Sequence, residues 1–156
     1  MIILIDGYNV LKNVVGNTQV TEQERNKFCE MIDAYARKKH HSIMIVFDGG
    51  PYEWAHRERF MHIQIVYSGF KQTADQFIMH YVDDHQHKDM LVITSDNEIG
   101  LYASQCEVPS LDSLEFVRIM KEAITSHSSH DEIEAPAVSY GSSYNQSLDE
   151  IMREGS

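Results

Sequence analysis

The sequence predicts a doubly wound α/β domain built on a parallel sheet with helices on both faces. Three observations point there. Short apolar runs of strand length recur along the chain, amphipathic helical stripes separate them, and an aspartate follows each of the first four runs.

The runs are Ile2–Ile5, Ile43–Phe47, Ile63–Tyr67 and Leu91–Thr94, all rich in β-branched residues. The first, second and fourth are almost continuously apolar, as strands covered on both faces are. The third carries Gln64 inside it and belongs nearer an edge. A short fifth strand is expected near Cys106–Val108.

The helices announce themselves by their caps. Thr21-Glu22-Gln23-Glu24 is a capping box, and Phe28, Met31, Ile32, Tyr35 and Ala36 follow it at helical spacing. Thr73-Ala74-Asp75-Gln76 is a second, with Ala74, Phe77, Ile78, Tyr81 and Val82 as its stripe. Ser95-Asp96-Asn97-Glu98 suits the start of a shorter helix. Asp112-Ser113-Leu114-Glu115 opens another, with Phe116, Ile119, Met120 and Ala123 on one side. Arg37-Lys38-Lys39 closes the first long helix, where cations complement the dipole.

The composition changes near residue 125 to Ser, His, Glu, Gly and Tyr. The expected organisation is a domain over 1–126 and a polar tail over 127–156, with a short closing helix at Ser147–Arg153. Only Cys29 and Cys106 are present, in no zinc spacing. Free thiols suit a reducing cytosol, so a cytoplasmic location is expected. The opening apolar run is too short for a signal peptide, and no later run approaches membrane-span length.

The net charge is −11, of which the tail carries −5. Such a surface repels polyanions over most of its area, which excludes generic nucleic-acid coating. It leaves room for an enzyme whose acidic site is neutralised by metal. The nine His form no metallohydrolase pattern; His85-Gln86-His87 and His127-Ser128-Ser129-His130 are their closest groupings.

In open α/β sheets ligands bind beyond the carboxyl ends of the strands. Asp6 follows the first run, Asp48 the second, Asp75 opens the helix after the third, and Asp96 follows the fourth. Singly, each suits a turn or a helix cap. Together they form a crowd of like charges that a cation would neutralise. Oxygen-only ligands favour Mg²⁺ or Mn²⁺ over zinc, and the chemistry such an ion supports is phosphodiester or phosphate-ester hydrolysis.

Ile-Asp-Gly-Tyr-Asn-Val at 5–10, Val-Phe-Asp-Gly at 46–49, Thr-Ala-Asp at 73–75 and Ile-Thr-Ser-Asp at 93–96 resemble, in order and spacing, the motifs of NYN domains in the PIN-like nuclease group. The chain most resembles the bacterial YacP-like NYN proteins, over residues 1 to about 124. The resemblance implies a PIN-like three-layer domain with sheet order 3-2-1-4-5 and metal-dependent endoribonuclease activity. It carries catalytic and metal roles onto Asp6, Asp75 and Asp96, with Asp48 as a helping ligand and Asn9 in support. Asn97 is expected to orient ligands from behind. Where the family has a small and an acidic residue before Thr-Ala-Asp, this chain has Lys71 and Gln72.

The expected substrate is single-stranded RNA, in particular mRNA. Lys12, Arg57, Arg59 and Lys71 are candidates for the phosphate path, with Arg57 and Arg59 read as loop residues. Tyr8, Tyr52, Trp54 and Phe70, in the same loops, suit base stacking. The charge suggests that a partner such as the ribosome, or another RNA-protein assembly, presents the substrate. Two rival readings remain. A haloacid-dehalogenase-type phosphohydrolase wants an Asp two after the first, where Tyr8 stands. An inactive nuclease fold serving as an RNA or protein adaptor would have lost its metal.

Overall fold

The computed structural model describes residues 1–16 and 19–126. The expected tail and its closing helix lie outside them. In chain order the elements are β1 (Ile2–Asp6), α1 (Gly7–Val15), α2 (Glu22–Lys39), β2 (Ser42–Phe47), β3 (His56–Phe60), β4 (Ile63–Tyr67), α3 (Ala74–Asp84), β5 (Met90–Ile93), α4 (Asn97–Gln105), β6 (Ser110–Leu111) and α5 (Ser113–Thr125).

The six strands form one mixed sheet in the order β3-β4-β2-β1-β5-β6. This corrects the expected five-strand, all-parallel sheet. β3 is an added edge strand that pairs antiparallel to β4, so β4 is one place in from the edge. The sequence hides β3 because His56-Arg57-Glu58-Arg59-Phe60 has no apolar run: an edge strand exposed to water needs none. The last strand falls at Ser110–Leu111 rather than Cys106–Val108. There Cys106 ends α4 and Glu107 takes a left-handed conformation with φ 61°, which no strand accepts.

Strand parity separates two cores. Ile3 and Ile5 of β1, Ile45 and Phe47 of β2, and Ile93 of β5 pack with α1, α2 and α5 through Leu11, Phe28, Ile32, Tyr35 and Phe116. Leu4, Val46, Val66 and Val92 face the other way onto α3 and α4, against Ile78, Val82, Ile99 and Ala103. Alternation along an extended chain makes this unavoidable. It also decides where the site forms: Asp6 has the parity of Leu4, and it meets Thr94 on the α3–α4 side.

Helix α1 starts directly after β1, where the sequence reading expected a loop. The approach is so close that a Cβ on Gly7 would lie 2.6 Å from the Phe47 ring and 2.7 Å from the Val46 carbonyl. Both expected capping boxes are present, Thr21 with Glu24 and Thr73 with Gln76. Asp96 and Asp112 cap α4 and α5.

Candidate active site

The carboxyl ends of β1, β2, β4 and β5 lie side by side because the strands are parallel and in register, with Asp6 beside Val46 and Ile5 beside Ile93. Whatever follows each strand is therefore delivered to one edge. Asp6 ends β1 and is only 8% exposed. Its Oδ2 accepts a bond from the Thr94 hydroxyl at 2.9 Å, and the Thr94 oxygen accepts from the Asp96 backbone N–H at 3.0 Å. One threonine thus ties two of the aspartates together. From sequence it stood at the end of an apolar run and inside the Ile-Thr-Ser-Asp motif, with no role assigned to it.

Asp48 Oδ1 accepts from the Ala74 backbone N–H at 2.7 Å. It holds the first residue of α3, and so the first turn on which Asp75 stands. The Asp96 carboxylate caps α4 through the Glu98 and Ile99 N–H groups at 2.8 and 3.1 Å. Asn9, in the first turn of α1, accepts from the Ser95 N–H at 2.8 Å and from the Ser113 hydroxyl. Ser95 in turn donates to Asp112 Oδ1 at 2.9 Å. Asn9 therefore stitches the β5–α4 loop to the start of α5 rather than touching a carboxylate. Asp112 and Ser113 were legible only as capping residues, and Ser95 only as a cap within the Ile-Thr-Ser-Asp motif.

Burial pushes the Asp6 carboxyl up to about 6; the Thr94 bond opposes this, and the charges of Asp75, Asp96 and Asp48 reinforce it. Asp75 is also raised, first by burial, then by Asp96, Asp48 and Glu98. Glu98 is thus a fifth acid at this edge, hidden in the sequence as part of a cap. The four expected aspartates stand within electrostatic reach of one another. Among the described residues, however, no three His, Cys, Asp or Glu side chains form a group that could hold a metal ion as they are oriented. The donors are all oxygen, the kind a hard divalent cation takes, and Asp6 is under the electrostatic stress such a cation would relieve.

The remaining expected residues scatter. Asn97 is the first residue of α4; its side chain is exposed and makes no hydrogen bond among the described residues, so it is not placed behind the carboxylates. Lys12 lies exposed in the last turn of α1. Arg57 and Arg59 belong to β3, not to a loop, and stand opposite Val66 and Gln64. Directly paired residues share a sheet face, so both arginines lie on the α3 side with Asp6. Tyr8 is on α1, packed at 4.8 Å against Phe47, and half-buried.

Lys71 sits between β4 and α3, in a loop locked to the β2–β3 loop. Gly69, Phe70 and Lys71 donate to the carbonyls of Gly49, Tyr52 and Glu53 at 2.7, 3.0 and 2.9 Å. Gly69 has φ 93°, and a Cβ there would lie 2.5 Å from the Glu53 carbonyl. This staple displays Tyr52, Trp54 and Phe70 at 55%, 58% and 64% exposure. The expected pairs of His give nothing similar: His85 stacks on Tyr81 at 3.9 Å and bonds its carbonyl, while His127 and His130 lie outside the described residues.

The model of the YacP-like NYN domain family matches residues 3–154, which runs past the motifs into the polar tail. Two crystal structures of Rae1 (YacP) from Bacillus subtilis share the fold. One matches with a TM-score of 0.63 at 17% identity, covering 99% of this chain and 89% of its own. The other, a point mutant, gives 0.62 at 18% identity, covering 79% and 76%. No curated protein matches.

Proposed function

From the chain's membership of the YacP-like NYN family, a nuclease-type fold, we propose that it is an endoribonuclease that hydrolyses RNA phosphodiester bonds with Mg²⁺ or Mn²⁺. The observation that carries this reading is the delivery of Asp6, Asp48, Asp75 and Asp96 to one sheet edge, where burial first, and then the charges of Asp75, Asp96 and Asp48, push the Asp6 carboxyl up to about 6. Folding keeps that repulsion, and a bound cation gives it a purpose.

Asp6, Asp75 and Asp96 would hold the ion, with Asp48 close behind. When bound, it would neutralise phosphoryl oxygens and polarise the attacking water. The chain's own residues do the positioning. Thr94 holds Asp6 and the backbone of Asp96 in one arrangement, Asp48 fixes the start of α3, and Asn9 fixes the loop that carries Ser95 and Asp96. Arg57 and Arg59, on the carboxylate side of the sheet, and Lys71 in the adjoining loop supply phosphate contacts. Lys12, exposed in the last turn of α1, is a further candidate. Tyr52, Trp54 and Phe70 offer stacking faces for unpaired bases. A net charge of −11 favours presentation of mRNA by an RNA-protein assembly such as the ribosome over capture of free RNA.

The adaptor reading is favoured by one observation, the lack among the described residues of a ready metal-holding group. A single experiment separates the two. Labelled single-stranded RNA is incubated with the protein in Mn²⁺ or in chelator. Internal cleavage that needs Mn²⁺ and vanishes in Asp6→Asn and Asp75→Asn supports the enzyme. RNA bound intact under every metal condition supports the adaptor.

A further inference from the structure

The carboxylates use one face of the strand exits. On the opposite face, the same exits hold a cation that no motif marks. Arg25, in the second turn of α2, lies with its guanidinium 5.9 Å from the centre of the Phe47 ring and 5.8 Å from that of Tyr67. The two rings are stacked 6.0 Å apart, and Tyr8 leans on Phe47 at 4.8 Å while also interacting with the arginine. Each ring is tied to the site through the chain. Phe47 immediately precedes Asp48, Tyr8 is two residues past Asp6, and Tyr67 precedes Ser68, whose hydroxyl accepts from the Gly49 N–H.

Among the described residues no carboxylate stands within salt-bridge distance of Arg25. In a chain with 24 acids and 13 bases, that is an unusual place to leave a half-buried cation. Rings hold a guanidinium by its flat face. A guanidinium carries five N–H donors, and its hydrogen bond with Tyr8 leaves others free. A planar fork of donors held beside aromatic rings, with donors to spare, is suited to a phosphate.

We propose that Arg25 contacts an RNA phosphate flanking the scissile bond, on the α2 side of the strand exits, with Tyr8, Phe47 and Tyr67 fixing its orientation. The proposal rests on the ribonuclease reading and adds to it a second point of attachment across the sheet edge. RNA would then pass over the ends of β1, β2 and β4 from the carboxylate face to the arginine.

The test is binding of a labelled oligouridylate in chelator, measured across a series of salt concentrations. Arg25→Gln should bind several-fold more weakly. Its plot of log affinity against log salt should be shallower by about 0.7, the share of one phosphate contact on a single strand. Arg25→Met, which keeps an unbranched stem over the rings, carries the same expectation should Arg25→Gln lower the melting temperature. Lys88→Gln, which removes an exposed cation before β5 at the other edge of the sheet, should keep the wild-type slope. A purely structural arginine would alter the melting temperature and leave the slope unchanged. Wild-type slopes in both Arg25 variants, beside a wild type that binds and cleaves RNA, would overturn this proposal alone. A wild type that neither binds nor cleaves RNA would remove the ribonuclease reading and this proposal with it.

Discussion

Asp6 and His41 set opposite electrostatic slopes in one pH window. Asp6 ionises near 6 in the folded chain against 3.8 unfolded, so the folded state holds its proton longer. Below about 4 the group costs nothing. Between about 4 and 6 the unfolded chain has lost this proton and the folded chain keeps it, so stability falls by roughly 3 kcal/mol across that window, two pKa steps of about 1.4 kcal/mol each, and stays lower above it. His41 is pushed down to about 4 by burial, with the Met1 amino group, Lys39 and His40 adding to it, and its Nδ1 has no hydrogen-bond partner among the described residues. The unfolded chain takes that proton near 6.5, so stability falls as pH drops from about 6.5 to 4. The two slopes largely cancel. Asp6→Asn keeps the Thr94 bond and removes the charge. In chelator at neutral pH it should raise stability by up to roughly 3 kcal/mol, and it should expose the His41 loss in acid. Denaturant melts at neutral and acidic pH check both; a variant less stable than wild type at neutral pH would contradict the cost of burying this charge among the other carboxylates. Asp75→Asn and Asp96→Asn should each abolish RNA cleavage with the fold retained, because Asn caps and turns nearly as well as Asp. Cleavage at wild-type rates in Asp75→Asn would remove this residue from the mechanism.

At the scale of elements, α3 brings Asp75 to the edge through two bonds on its first turn. Thr73 accepts from the Gln76 N–H at 3.1 Å, and Asp48 accepts from that of Ala74. Thr73→Ala should cost about 1 kcal/mol, the usual worth of an N-cap. Asp48→Ala leaves the Ala74 N–H without its partner and should lower cleavage by loosening Asp75, even in saturating metal. Chemical denaturation measures the first, and initial rates across a metal titration measure the second. An Asp48→Ala rate restored fully by excess metal would mean that Asp48 acts only as a ligand. The loop staple is the other element-scale dependence. Gly69→Ala meets the Glu53 carbonyl and a left-handed backbone together, so it should disorder the loop that presents Trp54. Trp54 is the sole tryptophan, and a change in its fluorescence would report this directly.

At the scale of the molecule, a cation bound at the carboxylate edge would stabilise the fold by linkage, about 2.7 kcal/mol when free metal exceeds its dissociation constant a hundredfold. Thermal midpoints should therefore rise with Mn²⁺, and less so in Asp6→Asn. Midpoints that ignore metal would speak against the ion. Among the described residues two apolar clusters cover both faces of the sheet, and we predict that truncation after Ser126 leaves a folded protein that still cleaves naked RNA. The family match extends to residue 154, which gives the alternative outcome a meaning. A folded but inactive truncation would place the tail in the path of the substrate. No helix among the described residues is long and apolar enough to cross a membrane.

The sequence by itself determined the local features. Apolar runs gave the buried strands, and Thr21, Thr73, Asp96 and Asp112 gave the helix starts, because caps and strand periodicity are written in adjacent residues. Asp-Gly-Tyr-Asn and the later aspartates were legible as a set for the same reason: each falls at the end of a strand or in the stretch that follows it, Asp75 at the start of the helix beyond. What depended on distant partners was not legible. β3 exists because β4 offers an unpaired edge to a polar segment. Asn9 reaches Ser95 and Ser113 rather than a carboxylate, across separations of 86 and 104 residues. Arg57 and Arg59 share a face with Asp6 only through the pairing of β3 with β4. Arg25 looks like an ordinary helix residue until the fold sets Phe47 and Tyr67 beside it. Tertiary structure decided these, because hydrogen bonds, ring contacts and shared fields act through space, and their partners are chosen by the order of strands in the sheet.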